Sequence, residues 1–460
     1  MNYDASVRYL LSLGRELAAP TQAAVAKFNL GNITVLDERL GHPSRAYPSA
    51  HIAGTNGKGS TAAFLESILR HAGFRAGLNT SPHLERINER VRINGEEISD
   101  EAFAATFTRI SKTIEELLAE GKLRAHPTYF ECVTAMAFEY FAQQRVDFAI
   151  FEVGLGGRLD ATNILKPAIT IISRVDFDHE NFLGHSLREI AGEKAGILKP
   201  GVPVILAEQR PEAREVILER AKDLCCPVIE TTGTYQIHET SRALQSAPET
   251  QRNGHVTANI MEPVSGWSID IAPSLPGHFQ LLNALNAVAA ARLLGERGFR
   301  ISDQVIASGI ADTRWPGRLE KLQSAPEIYL DGAHNPAAAR ELAAFLAENF
   351  AGRKTWLIYG ALRDKAVDEI AGLLFPLAVE VIITEPRTPR SISARQLAQI
   401  ASHHAQHSII IPDAERALDH ALAEAEPKDV IFVTGSLYLV GQLRGYWKSR
   451  ARVAASSKTP

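Results

Sequence analysis

The sequence predicts an α/β protein of two units, a larger parallel-sheet one carrying a phosphate-binding loop and a smaller doubly wound one behind it. Three observations predict this. Short apolar runs alternate with amphipathic segments through most of the 460 residues, the pattern of parallel strands joined by helical crossovers. The glycine-rich stretch Gly54–Ser60 stands between an apolar run and a helical pattern. The strand–helix rhythm then begins afresh after Arg318.

In the first unit, residues 1–311, the strand candidates are Ser49–Ala53, Val146–Val153, Ala168–Ser173 and Val202–Leu206. Ser60–His71 places Phe64, Leu65, Ile68 and Leu69 on one helical face, and Gly73 suits a C-terminal cap. Thr231–Ser274 is polar and breaks the rhythm, with weak alternation around Trp267–Ile271, so a hairpin-bearing insertion or a long surface connection is expected there. Residues 312–318, with Trp-Pro-Gly, read as a linker. In the second unit, residues 319–460, the strands are Ile328–Leu330, Thr355–Tyr359, Val379–Thr384, Ser408–Ile411 and Val430–Thr434. Helical patterns cover Pro336–Asn349, Ser393–His403 and Ala414–Ala425, and the tail Ala451–Pro460 is expected to fray.

Composition narrows the function classes. A net charge of −4 gives no global attraction to nucleic acid or an anionic membrane. The first 20 residues carry Asp4, Arg8 and Arg15 and lack a signal-peptide core, and no apolar stretch approaches a membrane span. Cys132, Cys225 and Cys226 form no metal-binding spacing and suit a reducing cytoplasm.

The loop Gly54-Thr55-Asn56-Gly57-Lys58-Gly59-Ser60 points to a nucleoside triphosphate. Glycines let backbone N–H groups turn toward phosphates, and the following helix N-terminus adds partial positive charge. Lys58 supplies a cation for the phosphates and Ser60 a hydroxyl for a metal, although Gly59 between them departs from the general GxxxxGK[ST] spelling. Glu152 ends an apolar strand beside this loop, where a carboxylate is placed to hold Mg2+. His179 closes the next strand; its position alone fits a metal ligand, a general base or a polar loop residue. Glu193–Lys194 reads by spacing as a solvated helical charge pair. In the second unit Asp331 and His334 fall at a strand's carboxyl edge, with Asn335 placed to cap the next helix and Pro336 in its first turn.

Ten stretches, in order from residue 51 to 440, resemble the folylpolyglutamate synthase / dihydrofolate synthase family of the Mur ligase superfamily. They are HIAGTNGKGS, NTSPHLERINERVRING, TYFE, FEVGLGGRLDATN, DFDHENFLG, AGEKAGILK, the Asn283-Ala284 pair after LPGHFQLL, WPGRLE, DGAHNP and VTGSLYLV. The resemblance implies a Mur-ligase-like ATPase domain joined to a smaller Rossmann-like C-terminal glutamate-ligase domain. It implies that a pterin or folate carboxylate (dihydropteroate, reduced folates, or both) is phosphorylated by ATP and then captured by L-glutamate. Thr55, Asn56, Gly57, Lys58, Gly59 and Ser60 would grip ATP, with Asn283, Arg318, Asp331 and His334 completing its site. Ser60, Ser81 and Glu152 would hold one Mg2+, and His179 with a carbamylated Lys194 a second, which reverses the solvated reading of Lys194. Lys58, Glu152, His179 and Lys194 would carry the catalysis, and a monovalent cation belongs to the implied cofactors.

For the pterin the matching positions are Phe28, Asn29, Leu30 and Gly31, then Thr128, Tyr129, Phe130 and Glu131, then Leu159, Asp160 and Ala161. Asp160 would accept hydrogen bonds from the ring's donors, while His83 and Arg86 would hold substrate carboxylates. The segment Gly277-His278-Phe279-Gln280 departs from the family's order, so Asn283 is favoured over Asn286 as the nucleotide contact. The implied protein is a cytoplasmic monomer with small-molecule substrates. A cell-wall Mur ligase would carry a UDP-binding domain ahead of the loop, where about 50 residues are too few. A nucleotide-dependent switch would leave DGAHNP and GEKAGILK without a purpose.

Overall fold

A computed structural model describes residues 1–13, 29–240 and 254–456. Its larger sheet has eight strands: β1 (Ser49–Ala53), β2 (Ala76–Asn79), β3 (Val91–Ile93), β4 (Glu96–Glu97), β5 (Phe148–Glu152), β6 (Ile169–Ile172), β7 (Val204–Leu206) and β8 (Val228–Glu230). They lie in the order β4-β3-β2-β5-β1-β6-β7-β8. Pairings from β2 through β8 are parallel, and β3 and β4 add an antiparallel edge. β1 sits in the middle, between β5 and β6, so its carboxyl end opens where loops from both neighbours converge.

Strand β5 shows why these runs lack polar alternation. Phe148 and Ile150 pack into one core with the helix Lys58–His71, while Ala149 and Phe151 pack into another with the helix Tyr129–Gln143. Both faces of a parallel sheet are covered, so both are apolar. The insertion contains β9 (Gln236–Glu239), β10 (Ala258–Glu262) and β11 (Trp267–Ile271), an antiparallel sheet in the order β11-β10-β9. Its β10–β11 hairpin matches the expected insertion, and Ile260, Ile269 and Ile271 join the core under the helix His278–Glu296.

Residues 312–319 contain neither helix nor strand and lead into a second sheet. That sheet has β12 (Glu320–Ser324), β13 (Glu327–Leu330), β14 (Thr355–Tyr359), β15 (Glu380–Glu385), β16 (Ser408–Asp413) and β17 (Val430–Thr434). The order is β12-β13-β17-β14-β15-β16, parallel except for β12. The expected strands appear within a few residues of their predicted ends. Five short strands of these two sheets, β2, β3, β4, β8 and β12, are additions. Of the tail expected to fray, Ala451–Ser456 continues the helix Leu437–Ser456, and residues 457–460 lie outside the described residues. Cys132, Cys225 and Cys226 are free thiols, and no described helix is long and apolar enough to cross a membrane.

Two consequences for stability follow from this packing. Gly309 lies in the helix Asp303–Ala311, where a Cβ would fall 2.5 Å from the backbone Cα of Ile68 in the phosphate-loop helix. Gly309→Val should therefore lower unfolding stability by about 1–3 kcal/mol, the usual cost of overpacking, measurable by urea denaturation. His51, fully buried in β1, has its pKa lowered by burial to about 3. The unfolded chain binds that proton near pH 6.5 and the folded chain does not, so stability should fall as pH drops below 6.5. Urea titrations at pH 7 and pH 5 should show a smaller loss in His51→Gln than in the parent.

Candidate active site

The turn after β1 is shaped by what stands next to it. Gly54 has φ +152° and a Cβ there would fall 1.9 Å from Ser173 Oγ. Gly57 has φ +85° and its Cβ would lie 2.1 Å from Asn283 Oδ1. Glycine is thus required at both places by conformation and by space. Thr55 and Asn56 donate their backbone N–H groups to Arg174 O (2.8 and 3.2 Å), and Thr55 Oγ1 donates to Asp176 O at 2.9 Å. These bonds pin the loop to the segment after β6. Asn283 lies against Gly57, whereas Asn286 accepts a bond from Thr231 Oγ1 at 3.3 Å, which favours Asn283 as the nearer to the loop.

Behind the loop is a buried charge cluster. Lys58 Nζ donates to Gly54 O and Thr55 O, both at 3.1 Å. Lys194 Nζ donates to the same Gly54 O at 2.9 Å and is 4% exposed, so the sequence-based picture of a solvated pair fails for it. Its neighbour Glu193 instead pairs with Arg158 at 2.8 Å. Burial, reinforced by the Lys58 charge, lowers the Lys194 pKa to about 7. Glu152 is buried at the end of β5 and accepts Ser81 N–H at 3.1 Å; burial pushes its carboxyl above the usual range, against the pull of Lys58. Ser60 is buried in the first turn of the following helix.

His179 has φ +53°, and burial pushes its pKa down to about 3. Its Nδ1 is buried without a hydrogen-bond partner among the described residues. Asp178 beside it receives Lys365 Nζ at 2.6 Å, His334 Nε2 at 3.5 Å and Asn335 Nδ2 at 3.4 Å, all from the second unit. Burial alone would raise this carboxyl; the His334 hydrogen bond and the Lys365 charge outweigh it and hold it well below the usual range.

The second unit meets the loop directly. Asn56 and Asn335 exchange side-chain amide hydrogen bonds at 3.2 and 2.9 Å. Asn335 Oδ1 also accepts Ala338 N–H at 2.9 Å, the expected cap of the helix Pro336–Asn349. Asp331 orders the turn by accepting Leu319 N–H (3.0 Å) and Ala333 N–H (2.9 Å), and its carboxyl is raised by burial against the nearby Arg318.

A cavity of about 640 Å³ runs between the two units. Its walls include residues 54–60, Ser81, Glu152, His179, Lys194, Asn283, Arg318, Asp331 and His334, so the expected nucleotide and metal positions converge. Asn29, Thr128–Glu131 and Leu159–Ala161 line it further along. Thr128 and Glu131 also form a capping box, with Thr128 N and Oγ1 donating to Glu131 Oε2 at 2.7 and 2.8 Å. Asp160 accepts Gly154 N–H (2.9 Å) and Leu155 N–H (3.0 Å) on one oxygen and Thr162 N–H (3.0 Å) and Oγ1–H (2.5 Å) on the other. Its two oxygens are thus engaged by four hydrogen bonds within the loop, a loop-shaping role in place of the free acceptor expected for a ring donor.

Four expected substrate positions stand apart from the wall. Leu30 packs on the core behind it, and Gly31 N–H is held by Asn29 Oδ1 at 2.8 Å. His83 does not line the cavity: its Nδ1 accepts Arg90 Nε–H at 2.8 Å, and burial lowers its pKa to about 3, which leaves it neutral and unsuited to a carboxylate. Arg86 also lies outside, paired with Asp100 at 2.5 Å. Phe28 falls outside the described residues. In the other direction, Asp178, Lys365 and Arg390 line the cavity without having been singled out. Lys365 follows a β-strand at its carboxyl edge, which is the signal that would have found it.

The Mur ligase middle domain family matches residues 52–291, and the Mur ligase glutamate ligase domain matches residues 317–437. The dihydrofolate synthase/folylpolyglutamate synthase of Bacillus subtilis is 36% identical over 91% of this chain and 94% of its own length. A structure of E. coli FolC in complex with DHPP and ADP superposes with a TM-score of 0.83 at 29% identity, covering 98% of this chain and 99% of that one. Mycobacterium tuberculosis folylpolyglutamate synthase complexed with ADP and AMPPCP gives 0.82 at 30% identity, covering 96% and 99%. With these likenesses spanning both units and the cavity between them, the chain belongs to the folylpolyglutamate synthase / dihydrofolate synthase family of the Mur ligases.

Proposed function

We propose that this chain joins L-glutamate to the carboxylate of a pterin or folate at the expense of ATP, releasing ADP and phosphate. The observation that best supports this is the single cavity that brings a triphosphate loop, a buried charge cluster and the cations of a second unit together. In the first step an acceptor carboxylate oxygen bonds to the γ-phosphorus as the bond to the ADP oxygen breaks. In the second, the glutamate nitrogen bonds to the acyl carbon, the carbon–oxygen bond to phosphate breaks, and the nitrogen loses its proton. Both steps build negative charge on oxygen, and Lys58 and Arg318 are the cations placed to receive it. Lys365 and Arg390, which also line the cavity, suit the carboxylates of glutamate. Phe130, Leu159 and Ala161 offer a flat ring apolar contact, and the backbone around Asp160 gives that wall a fixed shape. We assign both dihydropteroate and reduced folates as acceptors, because relatives carry both the dihydrofolate synthase and the folylpolyglutamate synthase name.

The residues fit divalent cations. Ser60, Ser81 and Glu152 offer oxygen donors, and His179 presents a buried nitrogen that has no partner among the described residues. When bound, Mg2+ would neutralise charge on the phosphate oxygens. Lys194, with its pKa near 7, holds a large neutral fraction at neutral pH. Its nitrogen can bond to carbon dioxide, lose a proton and become an anionic carbamate, which turns a cation into an oxygen donor. The three free cysteines suit a reducing compartment, and we place the enzyme in the cytoplasm as a monomer, divided near residues 312–318.

The purified protein should release phosphate from MgATP only when a pteroate or folate and L-glutamate are both supplied. A rate indifferent to glutamate would sink the ligase reading. With 13C-bicarbonate, the protein should show a carbamate carbon resonance that Lys194→Ala lacks, together with a large loss of turnover in that variant. A spectrum identical in the two proteins counts against the carbamate.

A further inference from the structure

The loop that carries Ser81 is gripped from outside its own sheet. The buried carboxylate of Glu89 accepts the backbone N–H groups of Leu84, Glu85 and Arg86 at 2.8, 2.7 and 2.8 Å, so these three residues form one rigid piece. On that piece Glu85 receives Arg444 and, at 2.7 Å, Lys448 from the helix Leu437–Ser456. Arg444 turns its Nε to both oxygens of Glu320, at 2.8 and 2.9 Å, and Glu320 accepts Gly317 N–H at 2.8 Å. One guanidinium on the last helix therefore ties a loop of the first unit to Glu320 at the start of β12, which in turn holds the connecting segment at Gly317.

The same junction is closed sterically. A Cβ on Gly441 would fall 2.0 Å from Leu84 O, and one on Gly317 would fall 3.1 Å from Val440 and 3.2 Å from Leu84. Both ends of the clamp adjoin the cavity. Ser81, bonded to Glu152, lies three residues before Leu84, and Arg318 follows Gly317. The charged partners are mostly shielded, with Arg444, Glu85 and Glu320 at 17%, 21% and 22% side-chain exposure.

We infer that Arg444 is a positioning residue: it fixes the spacing at which the Ser81–Glu152 wall and the Arg318–Asp331 wall face one another across the nucleotide. A forked guanidinium sets direction as well as distance at two carboxylates, which a lysine does not. The inference rests on the nucleotide reading of the cavity given above, and is independent of which acid is ligated.

The test reads distance and affinity separately from ligation. In a background lacking Cys225 and Cys226, spin labels at the exposed positions of Glu219→Cys and Arg395→Cys report the distance between the units by pulsed electron resonance. Arg444→Gln should broaden that distance distribution and weaken ADP binding about tenfold by calorimetry, with Arg444→Lys between it and the parent. Arg450→Gln, on the same helix but paired with Asp419, should change neither readout. Gly441→Ala supplies a steric version of the same test should the charge variants fail to fold. A folded Arg444→Gln with the parent's distance distribution, or with a broadened distribution and unchanged ADP affinity, overturns the inference. Absence of glutamate-dependent phosphate release in the parent overturns the ligase reading instead, and leaves the distance and affinity results to decide on Arg444.

Discussion

The carbonyl oxygen of Gly54 accepts Lys58 at 3.1 Å and Lys194 at 2.9 Å, and much of the site is arranged around that crossing. Burial disfavours the charged form of Lys194, and the Lys58 ammonium aimed at the same oxygen adds to it, so Lys194 moves toward loss of its proton. The crossing needs Gly54 flush against Ser173, which a side chain would prevent. It also needs β1 at the middle of the sheet, so that loops from β5 and β6 supply Glu152 and Asp178 as counter-charges on either side. An incoming triphosphate brings negative charge to the loop's N–H groups and Lys58, which makes the loop a phosphate site by electrostatics as well as by shape.

Asp178 plays the matching part at the seam between the units. It stays well below the usual carboxylate range although buried, because His334 and Lys365 both reach it from the second unit. Removing one partner of such a buried pair strands the other charge, so each unit presents an uncompensated group until the two meet. The Asn56–Asn335 amide pair adds a directional lock at the same seam, between the phosphate loop and the cap of a helix in the second unit.

How much of this was legible in the sequence depended on range. The phosphate loop could be read because its glycines, Lys58 and Ser60 are contiguous and flanked by a strand and a helix. The cap at Asn335 and Pro336 was equally local. Lys194 was misjudged by spacing, since nothing in a helical Glu-Lys pair says that the lysine faces a carbonyl 140 residues away. Family resemblance, not periodicity, corrected it. His83 and Arg86 failed for the converse reason: cations near a motif suggested a carboxylate site, while the fold gives each a local partner in Arg90 and Asp100. Lys365 was missed because its partner Asp178 is 187 residues distant. The capping box of Thr128 and Glu131 was present in plain spelling and was passed over in favour of a substrate role.

The division of charge between two bodies also constrains how substrates exchange. Lys365 is 4% exposed and already satisfied by Asp178, so a glutamate carboxylate entering the cavity must compete with Asp178 for it. If Lys365 turns away, Asp178 keeps Asn335 Nδ2 at 3.4 Å and His334 Nε2 at 3.5 Å, while His179, whose Nε2 lies 3.8 Å away, is neutral in this arrangement. A metal ion held near His179 would supply the missing charge. Asp178 would then be the one carboxylate through which such an ion and Lys365 act on each other.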